Sequence, residues 1–141
     1  MSRPWQKFVA PGFEGQPLPI SPSPWHSGRW VRLPQEHWEL ILDFATNLDA
    51  ACAAKLRSVS WANDDNDMDY IYVSSNELES LLLFLSRLAD EIKCAEPLVS
   101  DVTDEIADIY PNEEHVCMLQ AVAAVFSESI EIDQPFRAWN E

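Results

Sequence analysis

Residues Ser74–Ile92, reading SSNELESLLLFLSRLADEI, hold both a helix start and a helix face. Ser74 and Glu77 stand three apart, the capping-box spacing in which each side chain satisfies the other residue's free amide. Leu78, Leu81, Leu82, Leu85, Leu88 and Ile92 then recur at three- and four-residue steps, one stripe along a helix. Leu83 and Phe84 widen that stripe, which predicts a central helix. Pro97 limits its end.

Similar helices are predicted on both sides. Upstream, Pro34 suits a first helical turn, and Trp38, Ile41, Leu42, Ala45, Leu48, Cys52 and Leu56 mark one face of a helix running to about Arg57. Glu36 and Glu39 lie early and Lys55 and Arg57 late, the order a helix dipole favours. Downstream, Ser100 caps a short amphipathic helix with Val102, Ile106 and Ile109 inward. Asn112 caps a last long helix whose core face is Val116, Leu119, Val122, Ala123 and Phe126. The tail IEIDQPFRAWNE has room for an edge strand before Pro135, and RWVRL (residues 29–33) alternates like a short strand.

Seven of the ten prolines and all three glycines lie in residues 1–34. Such density excludes a continuous helix or a central strand there. Trp5, Phe8, Phe13, Ile20, Trp25 and Trp30 make the segment too aromatic for a free polar linker. The prediction is a mainly α protein: a small bundle of three long helices and one short helix, with room for one short β-hairpin or edge strand. Residues 1–33 form a proline-rich extended arm lying partly on the body, and residues 34–141 the helical domain of a single globular unit. SPSPWHSGRW could instead offer a polyproline segment to another protein.

The net charge of −15 is lopsided. Residues 1–60 sum to +1, whereas residues 61–141 hold nineteen acids against Arg87, Lys93 and Arg137, or −16. Such a field repels phosphate backbones and anionic lipid and speeds encounter with cationic surfaces. It argues against direct nucleic-acid binding. No uninterrupted apolar run approaches the roughly 20 residues of a membrane helix, and MSRPWQKFVAPGFEG lacks the apolar core of a secretory signal. The three scattered cysteines suggest no disulfide framework. The expectation is a cytoplasmic protein.

Motif chemistry is sparse. Asp65, Asp67 and Asp69 alternate like the first ligands of a calcium loop, but Tyr70 occupies the position that requires glycine and Asn76 the position of the closing glutamate. His26, His37 and His115 show no zinc spacing and read as surface or interface histidines, while Cys94 and Cys117 read as inert packing on apolar helix faces. No GxSxG elbow or phosphate-cradling glycine loop occurs. Carboxylates meeting across the fold, such as Asp67 with Asp104 or Glu105, are left open. No catalytic residue, metal ligand or cofactor is assigned.

What remains is a surface for a partner. Asp64, Asp65, Asp67 and Asp69 are interleaved with Trp61, Met68, Tyr70 and Tyr72, an acidic rim around aromatic anchors. The competing reading is a short strand whose Tyr70 and Tyr72 rings cover the core while the acids stay in water. Asp101, Asp104, Glu105 and Asp108 form a second candidate patch. In size and one-sided charge the chain resembles bacterial immunity proteins that neutralise basic toxins; no motif carries the likeness. It implies a non-catalytic monomer, or weak dimer, that binds one basic protein. The alternatives are a small acidic secretion chaperone or adaptor and a carboxylate-based enzyme or metal-binding protein.

Overall fold

The structure, a computed structural model, describes residues 5–11, 26–27, 30–60, 70–96 and 112–140. It is mainly helical, with a small antiparallel sheet. The order along the chain is β1 (Trp5–Val9), β2 (His26–Ser27), β3 (Trp30–Pro34), α1 (Gln35–Leu48), α2 (Ala50–Ser58), β4 (Tyr70–Ile71), α3 (Ser75–Cys94), α4 (Asn112–Ile132) and β5 (Phe136–Asn140). The strands lie side by side as β2-β3-β1-β5-β4.

The sheet is larger than the sequence predicts. Trp5–Val9, inside the expected arm, is its middle strand, paired with β3 on one side and β5 on the other. Pro4 and Pro11 flank these five residues without interrupting them, so every position in the strand keeps its amide for the ladders. The expected strand at residues 29–33 is found at Trp30–Pro34. The tail strand follows Pro135 rather than preceding it, and lies inside the sheet rather than at its edge. α4 continues to Ile132.

Direct pairing of Phe8 with Val31 and Ala138, and of Gln6 with Leu33, sets one face of the sheet against the helices. Phe8 is the hub. Its ring meets Trp38 edge-on at 5.6 Å and Phe126 at 6.0 Å, and lies 6.3 Å from Phe136. Burying Phe8, Trp38, Phe126 and Phe136 draws β1, α1, α4 and β5 into a single core.

α3 begins as the spacing predicts, with the Glu77 amide donating to the Ser74 hydroxyl at 3.2 Å. Leu78, Leu81, Phe84, Leu85, Leu88 and Ile92 are buried, but Leu83 is 75% exposed. The central helix is α4, lying against α3 on one side and β1, β3 and β5 on the other. That position explains why α4 buries Met118, Ala121 and Val125 in addition to Val116, Leu119, Val122 and Phe126 of the predicted stripe, whose Ala123 is half-buried. By length and composition α4 could cross a membrane, yet half of that stretch is buried inside the fold.

The helix predicted from Pro34 to Arg57 is two helices. Asp49, extended at φ −160°, interrupts it, and its carboxylate accepts from the Cys52 amide at 3.1 Å as the cap of α2. This bond holds the Asp49 carboxyl below its ordinary range. The expected short helix beyond Ser100 lies outside the described residues.

Candidate functional site

Of the predicted partner-binding residues, Asp64, Asp65, Asp67, Asp69, Asp101, Asp104, Glu105 and Asp108 lie outside the described residues. Tyr70 is described through its backbone, as the first residue of β4. Tyr72 follows that strand with its side chain 75% exposed. The reading in which its ring covers the core is therefore corrected: Ile71, on the opposite side of the chain, takes the buried place against Phe136.

Tyr72 borders a groove of about 340 Å³ between the β4–α3 connection and the end of α4. Leu78 and Pro135 supply apolar lining, Ser74, Ser129 and Gln134 supply polar atoms, and Asp133 is the one charged residue among the described ones. Asp133 is held by the helix end. Its backbone is left-handed at φ 60°, its amide donates to the Ser129 carbonyl at 2.9 Å, and the Gln134 amide donates to the same oxygen at 3.2 Å. The Ser129 hydroxyl closes the turn on the Gln134 carbonyl. The Asp133 side chain stays exposed.

The histidines depart most from expectation. His37 and His115 are 2% and 0% exposed, with His37 Nδ1 and His115 Nε2 3.0 Å apart. Asn112 fixes the direction of this chain. Its amide nitrogen donates to the carbonyls of Ile92, Ala95 and Glu96, so its oxygen accepts from His115 Nδ1 at 3.1 Å. His115 Nε2 is then the acceptor for His37 Nδ1–H. Burial, and secondarily the charge of His37, push His115 down to about 4. The network ties α1, the end of α3 and the start of α4 together. Histidines 78 residues apart carry no spacing signal that could have announced it.

The cysteines also differ from expectation: Cys94 and Cys117 are exposed and Cys52 is half-buried. Burial, with the Asp49 carboxylate adding to it, pushes the Cys52 thiol up. No group of three or more metal-ligating side chains comes together among the described residues.

Three cations gather on the sheet, whereas Arg87 and Lys93 are exposed on α3 and Lys55 pairs with Glu77 of that helix at 3.2 Å. Alternation along the strands places Lys7, Arg32 and Arg137 on the face of the sheet turned away from the core. There Arg32 lies 4.2 Å over Trp5, and Lys7 and Arg137 lie 5.7 and 5.0 Å from Trp139. On α3 and α4, Glu79, Asp90, Glu91, Glu113 and Glu131 all face solvent. The sequence matches no protein-family model, and neither a curated protein nor a solved structure matches it.

Proposed function

We propose that this is a non-catalytic acidic protein that binds and neutralises one basic protein, as bacterial immunity proteins do with toxins, and that it works in the cytoplasm. The observation carrying this reading is the gathering of charge: residues 61–141 hold −16, and none of their described carboxylates is buried. Carboxylates left in solvent contribute little to folding and retain their long-range field for steering a cation-rich surface. Tyr72, exposed at the C-terminal margin of the acidic run, supplies the kind of aromatic anchor that holds a partner once charge has recruited it.

Replacing Asp65, Asp67 and Asp69 together by lysine tests the reading against a partner captured from the native host. Stopped-flow mixing at several salt concentrations should show association slowed about tenfold or more, with a flattened salt dependence and unchanged circular dichroism. Association as fast as that of the parent protein at every salt concentration would remove this run from the binding surface.

A further inference from the structure

We propose that the groove beside Tyr72 receives a single arginine side chain of the partner. This deepens, and rests on, the reading of the protein as a binder of basic proteins. The groove unites what a guanidinium requires. Tyr72 offers an exposed ring on which a planar cation stacks, Leu78 and Pro135 offer apolar surface to the aliphatic stem, and Asp133 offers the counter-charge. The exposed Gln134 side chain adds an oxygen acceptor for a group with five N–H donors. Among the described residues, no lysine or arginine lines the groove. The complementarity is therefore to a cation, in a protein whose surrounding half is already strongly negative.

Asp133 separates two properties that one residue usually combines. A left-handed residue just past a helix is most often glycine, which has no Cβ to crowd the backbone. Asp133→Gly thus removes the carboxylate while preserving, or improving, the turn that Ser129 and Gln134 close. A loss of binding in this variant is a loss of charge, not of fold. Tyr72→Ala removes the stacking surface from a side chain that is 75% exposed, so the core is untouched.

The test is an NMR titration of the isotopically labelled full chain with N-acetyl-arginine amide. The citrulline analogue, with the same stem and a neutral head, serves as the control. The arginine compound should shift the backbone signals of Tyr72, Ser74, Asp133 and Gln134 most strongly, and the citrulline compound should not. Asp133→Gly and Tyr72→Ala should each weaken the effect about three- to fivefold, the worth of an exposed ion pair or cation–π contact. Glu79→Gln, on the exposed side of α3, should leave it unchanged. Shifts spread evenly over the carboxylates of α3 and α4, equal shifts with citrulline, or no shift at all would overturn the groove. The broader reading fails separately, when the parent protein captures no basic protein from the host. If a protein is captured and Asp133→Gly and Tyr72→Ala bind it as tightly as the parent does, only the groove is rejected.

Discussion

His115 is a buried residue whose titration couples folding to pH. Its folded form resists protonation, titrating at about 4 against an ordinary value of 6.5, because the ring is buried and, secondarily, because of the charge of the neighbouring His37. The sign follows from linkage: between those two values the unfolded chain binds the proton first, so stability is complete above pH 6.5 and falls as the pH drops toward 4. At about 1.4 kcal/mol per pH unit, the loss amounts to roughly 3 kcal/mol across that window. Urea unfolding at a series of pH values should show this slope, and His115→Gln should reduce it. An equal slope in the variant would assign the acid sensitivity to the carboxylates instead. Nothing in the sequence foretold this pair, since it is made by packing α1 against α4. The exposure of Tyr72, by contrast, was half legible: an aromatic in an acidic run can face the core or the solvent, and strand alternation around Ile71 turns Tyr72 outward.

Strong periodicity joined to a local cap makes an element legible in sequence, as α3 shows from Ser74 onward. Legibility ends where a tertiary partner sets the outcome. One apolar face runs through Asp49 without a gap in its spacing, and only the side chain's capping of α2 reveals the break. Proline density hid β1 because a strand is defined by its neighbours, and those of Trp5–Val9 come from residues 30–34 and the far end of the chain. Leu83 matched the α3 stripe by letter but faces solvent, since α4 covers just one side of that helix. The α3–α4 junction itself depends on Asn112, whose amide reaches three carbonyls at the end of α3. Asn112→Ala should cost about 1–3 kcal/mol by leaving these groups and His115 Nδ1 without their partner. Hydrogen exchange should quicken first at Ile92–Ala95 and in the first turn of α4. A uniform rise across the sheet would contradict that account of the junction.

Across the fold, the division of charge that is so plain in the sequence is mirrored only in part, because Arg87 and Lys93 are exposed on α3 and Lys55 pairs with Glu77. Lys7, Arg32 and Arg137 stack with tryptophans on the sheet, while exposed carboxylates stud α3 and α4. The asymmetry was legible because charge can be counted along a chain. The groove was not, because Tyr72 and Asp133 meet only when the end of α4 folds back beside the start of α3. An acidic half of this kind should find its partner quickly at low salt and hold it through buried contacts at high salt. Affinity capture from the native host, with the tagged protein as bait and successive washes at low and high salt, tests this most directly. One basic protein should be retained in stoichiometric amount at low salt and still be held in the high-salt wash. Recovery of no basic protein at low salt would contradict that expectation and return the acidic half to the status of a solvated surface.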